Sequence, residues 1–294
     1  MISVIAIVFQ GEKINEFPQY KHSWAQCDRY AISIGFIDNG GDFFHPQTYV
    51  LNNQFPGNFS VARNTTVTSV DFPVHDYIAS ILMRIFHTTD PWCFKLYVLI
   101  YSLIGLFYLY KITTLYTDSV FRSLIVVFVV ASSPIFLYYQ AGFLPTMPSL
   151  SNTFIALYFF LNYLKNDSKK SFIISVVFVT LATLSRLPFA IILTSLICFE
   201  FFYLIKNRRV ELYKIVSFVL SIAIIVSYYM YNSYLRNKYG SLFLNSLVPA
   251  SDFSELKDII KNVYERWSHI YFSAYSYVLL GVFILLFIFR LLFK

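Results

Sequence analysis

The sequence predicts an all-α, polytopic integral membrane protein: a bundle of transmembrane helices with interfacial helices on a long first outer loop. Three observations predict it. Of the 294 residues, 57% are hydrophobic and 13% charged, and the mean hydropathy is +0.59. Soluble domains carry about 25% charged residues, so this chain has too few polar side chains to cover a water-facing surface. Several stretches approach the roughly 20 apolar residues that a helix needs to cross a bilayer. The net charge of +7, from 23 Lys+Arg against 16 Asp+Glu, is spread unevenly along the chain, as membrane topology requires. With 9 glycines, 10 prolines and three unevenly placed cysteines (Cys27, Cys93, Cys198), the chain fits neither a disordered, a collagen-like nor a disulfide-scaffold class.

Residues 1–9 are apolar but about half the length of a crossing, and they lack the basic start and small-residue cleavage site of a signal peptide. They read as part of a first transmembrane helix. Residues 10–91 form the outer loop, in which 22–37 and 74–86 have helical periodicity, the latter with Tyr77, Ile78, Ile81, Leu82 and Ile85 on one side. The bundle, about six spans by length, covers 92–232. Its first span is 92–110, with Lys95 near the start, where a lysine can snorkel. Residues 120–131 follow, interrupted at Ser132-Ser133-Pro134 and resuming over 135–139; then comes 147–164, with Pro148 in its first turn. The spans 172–184 and 189–205 meet at Ser185-Arg186-Leu187-Pro188, because proline disfavours helix in the residue before it. Span 215–231 completes the bundle, and Glu200 falls near the cytoplasmic end of its span.

Residues 233–273 form a second outer loop. There Ser251-Asp252-Phe253-Ser254-Glu255 resembles a capping box, followed by Leu256, Ile259, Ile260, Val263, Tyr264 and Trp267 at the spacing of an amphipathic surface helix. A last span occupies 274–294. With the N-terminus cytoplasmic, the inner ends carry Lys111, Arg122, Lys165, Lys169, Lys170, Lys206, Arg208, Arg209, Lys214, Arg290 and Lys294. The first outer loop has five basic residues against eight acidic ones, so the bias favours this orientation.

The sequence has no glycine-rich phosphate loop, His-Glu-x-x-His or Cys-x-x-Cys motif. Chemistry must then come from the outer loops and the bundle. Asp28, in Trp24-Ala25-Gln26-Cys27-Asp28-Arg29-Tyr30-Ala31, lies on a periodic helix whose apolar neighbours draw it to the membrane plane, where a carboxylate can serve as a general base; the bland reading is a surface Asp paired with Arg29. Arg186 is the only charge in its turn between two spans, where a guanidinium suits a phosphate headgroup; the bland reading is snorkelling to lipid phosphate. His45, His75, Asp71 and Asp76 match no zinc spacing, so no metal centre is assigned, and a divalent metal is the one cofactor class left open.

The order of that first-loop motif, then Gly41-Asp42-Phe43-Phe44-His45-Pro46, Asp71-Phe72-Pro73-Val74-His75-Asp76-Tyr77 and Leu184-Ser185-Arg186-Leu187-Pro188, resembles the GT-C glycosyltransferases. Within them it is similar to bacterial relatives of the protein O-mannosyltransferases and of the aminoarabinose transferases that modify lipid A. The resemblance covers roughly 21–205, and the chain departs from it at three places. Asp28 precedes Tyr30 by two positions, where the family's Asp precedes its Tyr by four; Asp71-Phe72-Pro73 stands for a Lys-Pro-Pro-like stretch; and the Asp that often opens the fourth span is missing from Leu144-Pro145-Thr146-Met147-Pro148.

The resemblance implies a GT-C-like fold and inverting transfer from a polyprenyl-phosphate sugar to a lipid, glycan or protein hydroxyl on the outer face of a bacterial plasma membrane. It implies Asp28 as base, Arg186 on the donor phosphate, and Arg29, Tyr30, Asp42, His45, Asp71 and His75 as substrate or metal contacts. It also implies a longer parent enzyme, of which these 294 residues are about the catalytic module. Nucleic acid is no expected partner. The rival readings are a lipid-linked sugar flippase or transporter subunit, although neither inverted repeats nor midplane polar residues are seen, and an inactive transferase fragment.

Overall fold

The structure, a computed structural model, describes residues 11, 13–19, 21–49, 66–208, 211–239, 250–266, 268 and 274–292. It divides into two units, Met1–Asn245 and Ser246–Lys294. The partial helix expected over 1–9 lies outside the described residues. Among those described, all the regular elements are helices, and extended backbone pairs in an antiparallel bridge between Gln47 and Val67.

In the first unit the loop helices form where periodicity places them, α1 over Ser23–Asp38 and α2 over Val74–Ile85. Gly40 and Gly41, with φ of 74° and 90°, reverse the chain after α1, a conformation that favours glycine. The first long span, α3, covers Pro91–Thr117 and runs two turns past its expected end. In these turns the hydroxyls of Thr113, Thr114 and Thr117 donate to carbonyls of the preceding turn, and left-handed Asp118 ends the helix.

The next apolar stretch splits into α4, Val120–Ala131, and α5, Pro134–Tyr139. At 1.5 Å per residue α4 reaches only about 18 Å into a hydrocarbon core about 30 Å thick. A hairpin of α6, Thr146–Asn166, and α7, Lys169–Ser185, follows, with the Ser168 side chain capping α7. A 3-10 turn, Leu187–Phe189, leads into α8, Ala190–Asn207, and then α9, Leu212–Tyr239.

Among the described residues three helical stretches are long and apolar enough to cross a membrane: Pro91–Thr117, Leu187–Asn207 and Leu212–Tyr239. The α6 helix has the length, but Ser149, Ser151, Asn152 and Thr153 are buried along it. Small and polar residues of this kind mark helix-to-helix contact inside a membrane bundle. The contact is close: a Cβ on Gly105 of α3 would sit 2.3 Å from the Ser151 hydroxyl of α6.

Two apolar cores result. One gathers Tyr30, Met83, Phe94, Tyr97, Phe136, Phe143 and Met147, joining the loop helices to α3. The other centres on Phe160, Phe172, Val179, Leu193 and Phe218, between α6 and α9. Glu200, inside an apolar helix, is paired: Lys214 Nζ lies 3.0 Å from its carboxylate and 3.3 Å from that of Glu211, and donates to the Tyr163 hydroxyl. Charges within a membrane bundle are expected to find such partners.

The second unit contains α10, Phe253–Arg266, and α11, Ala274–Leu292. The expected cap is present, with the Glu255 N–H donating to Asp252 Oδ1 at 2.8 Å and the Glu255 carboxylate accepting from the Ser251 N–H at 2.6 Å.

Candidate active site

The site is built on the segment that enters α2. The Gln47–Val67 bridge leads the chain inward, secured by Thr48 N–H on the Thr66 carbonyl (2.9 Å) and Thr68 N–H on the Pro46 carbonyl (3.0 Å). Bundle residues then clamp the next stretch. Asn232 Oδ1 accepts from Val70 N–H at 2.9 Å, Tyr228 donates its hydroxyl to the Val70 carbonyl at 2.8 Å, and Phe72 N–H donates to the Leu184 carbonyl at 3.2 Å. Asp71 is therefore held at the end of α7, between residues fixed on both sides.

Arg186 stands at that end. Its extended backbone (φ −152°, ψ 109°) breaks the chain between α7 and the 3-10 turn, and its guanidinium lies 3.7 Å from Asp71 Oδ2. From α1, Arg29 approaches the same carboxylate oxygen at 3.4 Å and donates to Asp76 Oδ2 at 3.1 Å. Two guanidiniums and two carboxylates thus meet with formal charges in balance. Their exposure differs in a way that assigns them different work: the side chains of Arg29 and Asp76 are 5% and 1% exposed, those of Asp71 and Arg186 25% and 37%. The first pair is a buried brace and the second is part-exposed. Burial pushes the Asp76 carboxyl up to about 6, against the pull of Arg29.

His75 sits beneath the brace. Its Nδ1 is 2.7 Å from the Tyr97 hydroxyl, its ring packs edge-on against Tyr101, and Tyr101 donates to Asn152 Oδ1 at 2.7 Å. Burial, then the charge of Arg29, lowers its pKa to about 3, so the ring is neutral at physiological pH. Its Nε2 is buried with no hydrogen-bond partner among the described residues.

The other expected site residues lie apart from this cluster. Tyr30 spends its hydroxyl on the Thr89 carbonyl and its ring on Phe143, and burial, then Asp90, raises its pKa to about 12; it anchors α1. Asp42 and His45 pair with each other at 2.8 Å on the exposed turn after α1. Although burial opposes it, the His45 hydrogen bond lowers the Asp42 pKa. Among the described residues no three His, Cys, Asp or Glu side chains gather closely enough to hold a metal ion.

Asp28 is buried, 3% exposed, on α1. Helical spacing puts it on one stripe with Ile32 and Gly35. That stripe faces Gln47 and Val70, since Ile32 clusters with Val70 and a Cβ on Gly35 would meet the Gln47 carbonyl oxygen at 2.3 Å. Gln26, four residues before Tyr30, accepts from Phe143 N–H at 3.3 Å through its Oε1.

Sequence reading singled out Arg29, Asp71, His75 and Arg186 without foreseeing that three of them meet. It missed Asp76 as the buried partner of Arg29, and the clamp from Tyr228 and Asn232. Those contacts join residues 47 to 162 positions apart, which no local pattern signals.

The dolichyl-phosphate-mannose-protein mannosyltransferase family matches residues 70–231, from the Asp71 segment through the bundle. The fold is similar to the crystal structure of ArnT from Cupriavidus metallidurans in the apo state, with 12% identity and a TM-score of 0.55 over 92% of this chain and 48% of that one. The chain therefore spans about half the length of that protein. No curated protein matches.

Proposed function

The chain belongs to the dolichyl-phosphate-mannose-protein mannosyltransferase family, and on that premise we propose that it moves a sugar from a polyprenyl-phosphate donor to an acceptor hydroxyl, with inversion. The observation that carries this reading is Arg186: a part-exposed guanidinium at the end of a buried helix, held only loosely by Asp71 at 3.7 Å and so with donors to spare for a phosphate. In the proposed step the acceptor oxygen attacks the anomeric carbon as the bond from that carbon to the phosphate oxygen breaks. The bonding electrons leave with the polyprenyl phosphate, and Arg186 stabilises the charge that grows there. The acceptor proton goes to Asp28, which faces the segment that presents Asp71. Base catalysis of this kind is worth about 10² to 10⁴ in rate. Asp71 orients Arg186, and the Arg29–Asp76 brace fixes Asp71. The acceptor is a lipid, glycan or protein. The site faces the outside of the plasma membrane and the N-terminus is cytoplasmic, as the lysine and arginine bias favours.

The test is turnover of reconstituted protein with a polyprenyl-phosphate sugar. Asp28→Asn is expected to lower turnover by at least about a hundredfold with donor affinity unchanged; near-normal turnover would remove Asp28 from that role. Arg186→Gln is expected to weaken donor use more than acceptor use.

A further inference from the structure

A cavity of about 210 Å³ opens beside α1, lined by none of the Arg29, Asp71, Asp76 and Arg186 side chains. Its walls include Lys13, Glu16, Gln26, Lys95, Tyr138 and Phe143. Lys95 is the notable one. It is 8% exposed in the first turns of α3, donates to the Lys13 carbonyl at 2.6 Å and lies 5.5 Å from the centre of the Phe143 ring. Among the described residues it makes no ion pair. An ammonium has three donors, and one carbonyl and one ring face leave the charge under-compensated for its burial. Glu16 is the cavity's single carboxylate against Lys13 and Lys95, so the lining carries a net charge of +1.

The rest of the wall is preset. The Gln26 amide is fixed at both ends, accepting from Phe143 N–H at 3.3 Å and donating to the Lys21 carbonyl at 3.2 Å. Gly142 permits that approach, since a Cβ there would meet Gln26 Oε1 at 3.1 Å. Tyr138 is pinned by its hydroxyl to the carbonyls of Gln19 and Lys21 at 2.8 and 2.9 Å, leaving an aromatic wall.

We infer that this cavity is a second binding subsite, for a ligand carrying a carboxylate or phosphate group, with Lys95 as the residue that binds the anion. Gln26 and Asp28 are two residues apart on α1, about 3 Å along its axis but about 200° around it, so the cavity and the proposed base lie on different faces of the helix. The binding inferred here does not depend on the transferase reading.

The experiment is calorimetric titration of the full chain in lipid nanodiscs with glucose, glucuronate and glucose 6-phosphate, three ligands that share a ring and differ in charge. One or both anionic ligands are expected to bind about tenfold or more tightly than glucose, as one charge-assisted hydrogen bond predicts. The tighter of the two identifies the anion. Lys95→Gln should abolish the preference. Gln26→Glu, which sets a carboxylate in the same cavity and keeps Lys95, should abolish it too and covers the case in which the first variant fails to fold. Equal or undetectable binding of all three ligands by the unaltered protein, or a preference that survives Lys95→Gln, would overturn the assignment. Because no donor is present, loss of the transferase reading would leave the preference intact, and loss of the preference would leave the donor role of Arg186 standing.

Discussion

At the scale of single residues, His75 and Asp76 are neighbours whose burial acts in opposite directions. His75 has a folded pKa of about 3 against an ordinary 6.5, so between those values the unfolded chain binds more protons and stability rises with pH. Asp76 has about 6 against 3.8, so between those values the folded chain binds more protons and stability falls as pH rises. The two oppose each other from about pH 4 to 6, and the larger His75 shift is expected to leave a net rise. Replacing His75 with Gln should turn that rise into a fall across the same window, read as thermal unfolding of the purified chain at several pH values. An unchanged pH profile would show that His75 already titrates normally. Asp71→Asn tests the brace: donor use should fall as it does for Arg186→Gln, because Arg186 loses its orienting partner, while acceptor use is affected less. Arg186 was visible in the sequence as the only charge in a turn between two apolar spans, and Asp71 and His75 as loop residues within a motif that resembles the GT-C enzymes. Their pairing was not, because a salt bridge between α1 and the segment before α2 depends on how the intervening loop folds back.

At the scale of elements, the helices were the most legible part of the chain. Apolar periodicity gave α1 and α2 to within a residue, whereas α3 and α9 run seven and eight residues past the ends expected at 110 and 231, and the Asp252 and Glu255 cap of α10 was readable from spacing alone. The extra turns of α3 escaped because threonine has modest helix propensity, although the Thr114 and Thr117 hydroxyls find partners in carbonyls four residues back. Close packing was equally hidden. Gly105 reads as an unremarkable residue in an apolar run, yet α3 and α6 approach closely only because it lacks a Cβ. Gly105→Leu is expected to destabilise the α3–α6 contact by about 1–3 kcal/mol or more through overpacking, measured as lowered thermal stability in detergent. Gly105→Ala should have a smaller effect in the same direction. A Leu variant as stable as the original would mean that the two helices do not pack as described.

At the scale of the molecule, the scarcity of charge that first pointed to a membrane now has a distribution. The described ion pairs of the first unit fall in a few clusters: Arg29, Asp71, Asp76 and Arg186 near the first loop, Asp42 with His45 apart from them on the turn after α1, and Glu200, Glu211 and Lys214 at the α8–α9 end. The first has a part-exposed guanidinium next to a buried brace, the arrangement expected where a phosphate is bound and released. The measurement that tests this most directly is release of free polyprenyl phosphate by the reconstituted chain, across a panel of polyprenyl-phosphate sugars with an acceptor present, for the unaltered protein and Arg186→Gln. Release from at least one donor, with a markedly weaker apparent donor affinity in the variant, is the predicted result. Release with the same donor affinity in both proteins would contradict the role given to Arg186, and no release from any donor would contradict the transferase reading itself.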